Sequence, residues 1–187
     1  EGDEVYVCIA TKTYNQKWND EYRKVKYQKQ KIVDNLLGIR KRYNLDFPCV
    51  KLNTVPHGEF NKKLSDLVSK LSPDVVYTHF NGDVNDDHKF VFRATLVATR
   101  PPKKIKVMCY ETLSETEWGN ETFEPNVWIN IKEYIDKKVD VFSKYESEIK
   151  TYPHPRSKEG IVNLAKKRGN EVCIEFAECF RLIREIK

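Results

Sequence analysis

Between His79 and His88 the chain gathers two imidazoles, the three carboxylates of Asp83, Asp86 and Asp87, and the amide of Asn85. Imidazole nitrogens and carboxylate oxygens are the groups that ligate divalent metals or move protons near neutral pH. A short apolar run, Val75 to Thr78, precedes them. Lys89-Phe-Val-Phe-Arg-Ala-Thr-Leu-Val-Ala-Thr99 follows, with the length and composition of a buried helix. A strand, an acid-and-histidine loop and a helix are therefore expected. In open α/β sheets the carboxyl end of a strand is where ligands and metals collect.

Other elements must hold that junction in place. Glu4 to Thr11 is apolar and β-branched and reads as a buried strand. Val25, Ile32, Leu36, Ile39 and Tyr43 recur at helical spacing, and Asn44-Leu-Asp-Phe-Pro48 ends that helix. Phe47 to Leu52 forms a second strand in this reading. Leu64, Leu67, Val68 and Leu71 mark a helix closed by Ser72-Pro73, and Arg100-Pro-Pro102 stops the helix after the loop. Lys104 to Tyr110 and Val127 to Ile131 read as strands, separated by an irregular stretch from Glu111 to Pro125 of the kind that forms lids or binding loops. Ile131, Tyr134, Ile135, Phe142, Tyr145 and Ile149 trace a further helix. Pro153-His-Pro-Arg-Ser157 is a turn before a helix bearing Ile161, Leu164 and Ala165 that Gly169 caps. Val172 to Ile186 contains a last strand-like run. Strands alternating with helices predict an α/β domain with a mostly parallel sheet covered on both faces.

Length and composition fit a single domain of 187 residues, 40% of them hydrophobic. No apolar run approaches the roughly 18 residues that a transmembrane helix needs, and no signal-peptide pattern opens the chain. No membrane partner is expected, and the location expected is cytoplasmic. The cysteines, Cys8, Cys49, Cys109, Cys173 and Cys179, are odd in number and without a CxxC, and four lie among apolar or strand-like residues. Buried free thiols are expected rather than disulfides or a metal cluster. The formal charge is +5, from 33 basic and 28 acidic residues. The dense basic tract from Lys17 to Arg42 reads as the solvated face of a surface helix, so no nucleic-acid partner is expected.

Gly82-Asp-Val-Asn-Asp-Asp-His88 is followed in order by Ala98-Thr-Arg-Pro101, Thr116-Glu-Trp-Gly119, Phe123-Glu-Pro-Asn126, His154-Pro-Arg-Ser157, Arg168-Gly169 and Ala177-Glu178. This ordered set resembles the PIG-L/LmbE-like family of zinc-dependent de-N-acetylases. The resemblance implies a Rossmann-like α/β sandwich that removes acetyl groups from N-acetylglucosamine-type sugars and related conjugates. It implies a zinc cofactor, with His88 as a metal ligand. In the family, two more ligands and the base come from a His-Pro-Asp-Asp-Glu motif after the first strand, and this motif does not occur here. About one strand and one helix, some thirty residues by the size of a βαβ unit, are expected upstream of Glu1, the alternatives being a complementary segment from another chain or a degenerate member that keeps a sugar crevice without a complete metal site. Without that central strand, Glu4 to Thr11 and Val75 to His79 should lack a shared neighbour, and the chain alone should not hydrolyse its substrate.

The resemblance also assigns roles residue by residue. Asn85 stands where many members carry a histidine that acts as acid or oxyanion stabiliser; its amide donates a hydrogen bond to substrate but shuttles no proton. His79, at the strand end, is the candidate to take over that catalytic role, the alternative being a packed histidine. Asp87 either orients His88 or is a helix N-terminal acid. Arg156 either clamps a substrate oxygen or belongs to a turn whose Ser157 caps the next helix. Trp118 either stacks on a sugar ring or packs on its own domain. Asp83 is a further polar anchor or an Asx turn. Exposed sheet edges suit association of two copies, though no motif specifies a dimer.

Overall fold

The computed structural model describes residues 2–12 and 20–187. Lys17, at the head of the basic tract, lies outside the described residues. Strand β1 (Tyr6–Lys12) leads to helix α1 (Asp20–Leu37) and strand β2 (Lys41–Pro48), which pairs parallel to β1. Helix α2 (His57–Leu71), strand β3 (Val75–His79) and helix α3 (Asp86–Ala98) follow. Strand β4 (Lys106–Tyr110) pairs parallel to β3. After strand β5 (Val127–Asn130), helices α4 (Ile135–Ser143) and α5 (Lys158–Asn170) precede strand β6 (Ala177–Arg184). The α/β architecture is as expected, with β6 running antiparallel to both β4 and β5.

The strands fall into two sheets, β1-β2 and β3-β4-β6-β5. β1 bonds only to β2 and β3 only to β4, so the two share no neighbour among the described residues, as expected. Phe60, Leu64 and Val68 of α2 and Ala94 and Ala98 of α3 pack with Val107 of β4, and Val76 of β3 joins them. Thr78 on the same face of β3 meets Thr95 of α3 at 3.2 Å between hydroxyls. Side chains alternate along a strand, and the other face of β3 is uncovered: Val75 is 37% and Tyr77 52% exposed.

The segment from α1 to β2 differs from the sequence reading. α1 ends at Leu37 rather than continuing to Tyr43, because Gly38 adopts a left-handed φ of 69° that stops the helix. β2 therefore starts at Lys41 and closes at Pro48, and Leu52 lies in a 3-10 turn (Leu52–Thr54), not at a strand end. The apolar stripe expected to face the core is not covered: Val25, Ile32 and Leu36 are 46%, 47% and 42% exposed, and Val33 is buried instead. The helix expected from Ile131 to Ile149 is shorter, with Tyr145 beyond its end. All five cysteines are free, but only Cys109 and Cys179 are buried; Cys8 and Cys173 are exposed. No helix among the described residues is long and apolar enough to cross a membrane.

Two loops at the carboxyl ends of β3 and β4 meet through glycines. A Cβ on Gly119 would stand 1.9 Å from the Gly82 carbonyl oxygen, and one on Gly82 would stand 2.3 Å from the Phe80 ring. Gly119→Ala is expected to cost about 1–3 kcal/mol, because backbone must move to admit the methyl group. Gly58→Ala, where nothing lies within 4 Å, should hold or raise stability. Urea unfolding of both variants checks this, and a wild-type midpoint for Gly119→Ala would show that the loops have room to part.

Candidate functional site

α3 begins where its sequence allows. Asn85 is the N-cap, with its side-chain oxygen accepting the Asp87 N–H at 3.0 Å, and Asp86 and Asp87 occupy the first turn. That start points His88 back towards the end of β3. His88 Nδ1 lies 2.8 Å from Asp83 Oδ2, and the Asp83 carboxylate is fully buried. A carboxylate oxygen accepts, so Nδ1 is the donor of this bond. The other Asp83 oxygen accepts the Thr116 hydroxyl at 2.6 Å. A carboxylate gripping one imidazole nitrogen while the other stays open is how proteins prepare a histidine to bind a metal.

The carboxylate that orients His88 is thus Asp83 and not Asp87. Asp87 faces the other way, its two oxygens accepting the backbone N–H groups of Val50 at 2.6 Å and Leu52 at 3.0 Å. It ties the turn after β2 to the first turn of α3. Asn85 likewise spends its oxygen on the cap. His79 lies against His88, with ring centroids 4.1 Å apart and a tilt of 31°, and its Nδ1 is buried without a hydrogen-bond partner. Burial, assisted by the His88 ring and opposed by Asp83, lowers its pKa to about 3. His79 is therefore a neutral ring at physiological pH, able to donate a hydrogen bond but not to deliver a proton as an imidazolium.

His88 opens onto a cavity of about 420 Å³. Tyr110 and Glu111 at the end of β4, the 112–115 loop, Phe142 of α4, and Ile161, Leu164, Ala165 and Arg168 of α5 line it, with Arg156, Glu178 and Cys179. Arg168 is 5% exposed and holds Glu111 through two bonds, Nε to Oε2 at 2.8 Å and Nη2 to Oε1 at 2.5 Å. Its Nη1 reaches Glu171 at 2.6 Å. Burial, followed by Asp83, raises the Tyr110 pKa, so its phenol stays protonated.

Of the two readings of His154-Pro-Arg-Ser157, the structure shows the cap and places Arg156 at the cavity. Ser157 caps α5 by accepting the Gly160 N–H at 2.9 Å, and Arg156 lines the cavity, bonded to Glu148 at 2.9 Å with its Nε buried and unpartnered. Trp118 does not line the cavity: it is 56% exposed and packs edge-on against His154 at 5.5 Å. Sequence reasoning missed Glu111, Glu115 and Arg168 as cavity residues. Arg168 had a signal, since it continues the buried spacing of Ile161 and Ala165 on α5. Glu111 had one too, as the first residue past an apolar strand.

Among the described residues, no group of three His, Cys, Asp or Glu side chains converges to hold a metal ion. The described residues therefore do not make a zinc site by themselves.

Solved structures share the whole architecture. The conserved protein TT1542 from Thermus thermophilus superposes with a TM-score of 0.76 at 20% identity, over 100% of this chain and 84% of that one. N,N'-diacetylchitobiose deacetylase from Pyrococcus horikoshii gives 0.74 at 16%, over 96% and 73%. The 4-carboxy-2-hydroxymuconate hydratase GalB from Pseudomonas putida gives 0.73 at 16%, over 98% and 85%. A deacetylase and a hydratase on one fold show that the fold does not choose the reaction. The sequence itself is more specific, because residues 1–99, which carry the Asp83–His88 loop, match the profile of the GlcNAc-PI de-N-acetylases. By that match over more than half its length, the chain belongs to the GlcNAc-PI de-N-acetylase (PIG-L) family.

Proposed function

We propose that the protein is a metal-dependent hydrolase that removes the acetyl group from an N-acetylglucosamine-type sugar or its conjugate, with His88 as one protein ligand of zinc. The Asp83–His88 pair carries this reading: a buried carboxylate fixes the imidazole at the mouth of a cavity large enough for a sugar. Bound there, zinc would polarise the amide carbonyl and make water acidic. No step through zinc is derived from this chain, because the described residues do not make a zinc site by themselves.

The remaining ligands and the base are supplied, in this proposal, by a strand that precedes β1 in the polypeptide and lies between β1 and β3. Two features support such a strand and the helix that would join it to β1. β1 and β3 are each the edge strand of their sheet and have one strand partner among the described residues. Val75 and Tyr77 on β3 and Val25, Ile32 and Leu36 on α1 are partly exposed. Fully covering a Val, Leu or Ile side chain is worth about 1.5–3 kcal/mol, so these positions favour an occupant.

The chain's own residues then do defined work. Asp83 holds the His88 tautomer, His79 offers a neutral N–H, and Arg156 and Glu111 present polar groups to the sugar. A second reading, a sugar-binding module without hydrolysis, is favoured by the incomplete donor set. Metal analysis separates the two. The polypeptide as its gene encodes it should bind one zinc per chain and release acetate from N-acetylglucosamine conjugates. A metal-replete preparation without stoichiometric zinc would rule out the hydrolase.

A further inference from the structure

The wall of the cavity beside His88 is polar in one part and apolar in another. In the polar part the charges are paired: Glu111 with Arg168, Glu148 with Arg156 at 2.9 Å and Glu178 with Lys138 at 2.7 Å. The lone pairs and N–H groups left over from those pairs serve the hydroxyls of a sugar. The apolar part has no such use. Leu113 of the loop after β4, Phe142 of α4 and Leu164 of α5 all line the cavity, and all three are half-buried rather than packed away. Ile161, one turn before Leu164 on the same face of α5, joins them.

The elements that carry these side chains are held in place without a ligand. Ala165 of α5 packs with Ile131 and Ile135, which fixes α5 against the start of α4. On either side of Leu113, the Thr112 N–H donates to the Thr116 hydroxyl at 2.8 Å and the Ser114 N–H donates to the Glu117 carboxylate at 2.7 Å. The apolar wall is therefore built in advance. N-acetylglucosamine has one apolar group, the acetyl methyl, which is too small to cover three large side chains from three elements. Water left against such a wall is unfavourable, and a pocket lined in this way suits a ligand with apolar surface of its own.

We propose that the sugar bound here carries an apolar aglycone, an alkyl or aryl group on its anomeric oxygen, that lies against Leu113, Phe142 and Leu164. The inference rests on the deacetylase reading, which sets the acyl group as acetyl and so leaves the apolar surface to the other end of the conjugate. The anomeric carbon is the direct neighbour of the carbon that bears the amide. A group attached there stays within reach of the wall when the amide is at His88.

The gene-encoded polypeptide, loaded with zinc, is titrated calorimetrically with the methyl and hexyl β-glycosides of glucosamine, which have no acetyl group to lose during the measurement. The hexyl glycoside should bind at least about tenfold more tightly, the effect of covering about two methylene groups. Its heat-capacity change should also be more negative, as burial of apolar surface requires. Leu113→Ser and Leu164→Ser should each cut the preference about threefold and leave the affinity for the methyl glycoside unchanged. Unfolding midpoints identify any variant that misfolds, and the wild-type heat-capacity change then stands as the reading. Equal affinities for the two glycosides, or a preference unmoved by both substitutions, would overturn the proposal. So would a gain seen only when the hexyl chain is moved to the nitrogen as an alkylamine, since the wall would then face the acyl side. Each of these results leaves the deacetylase reading to be judged by its own acetate release and zinc content. A protein that binds neither glycoside would count against both.

Discussion

Arg168→Met is expected to destabilise the protein by about 3–5 kcal/mol, the cost of removing one partner from a buried ion pair. The guanidinium is nearly covered, makes two bonds to Glu111 and one to Glu171, and lies over the Phe123 ring at 5.6 Å from its centroid. Methionine retains much of the packing against Phe123 but leaves the Glu111 carboxylate, itself 11% exposed, with no cation. Glu171 suffers less, since it also accepts the Trp128 indole N–H at 2.9 Å and is closer to water. At about 2–4 °C per kcal/mol for a chain of this size, the thermal midpoint should fall by roughly 6–20 °C. Adding Glu111→Leu should recover most of the loss, because an apolar pair avoids both the orphaned charge and the desolvation of two ions. A loss below about 1 kcal/mol for Arg168→Met would mean that water reaches Glu111.

Asp83→Asn is expected to weaken zinc binding by the gene-encoded polypeptide about 10–100-fold, and His88→Ala to remove the ligand outright. The physical distinction is between holding a ligand and being one. Asparagine keeps an oxygen for either the His88 Nδ1–H or the Thr116 hydroxyl, but it brings no charge and offers an NH₂ to the other. The imidazole then loses its fixed tautomer and part of its basicity. Competition with a chromophoric chelator gives the zinc affinity, and an unfolding midpoint taken on the same samples separates it from general damage at a fully buried position. Unchanged affinity in Asp83→Asn would remove His88 from the metal site.

The strand, loop and helix around this pair were legible because several local signals agree there. Val75 to Thr78 is apolar and bounded by Pro73, Asn85 is a strong N-cap, and Pro101 cannot continue a helix. The observed α3 begins three residues earlier than the apolar run suggested, since acids in a first turn belong to the helix. Between α1 and β2 the signals conflict. Ile39 and Tyr43 continue the helical spacing of Val25 and Ile32, and only Gly38 speaks against it, so periodicity outweighed the stop. The site was legible in part. His88, singled out by its motif, lines the cavity, but the choice between Asp83 and Asp87 as its partner depends on which way the first turn of α3 faces, which spacing does not encode. Arg168 and Glu111, 57 positions apart, become partners only when α5 is laid against the end of β4.

The grip of Asp87 on Val50 and Leu52 makes the first turn of α3 a mechanical linkage. The residue that holds the turn after β2 is the immediate chain neighbour of His88, so that turn and the imidazole hang from the same start of α3. One helical turn therefore carries two duties on adjacent residues, anchoring a backbone turn through Asp87 and presenting the imidazole of His88 to the cavity.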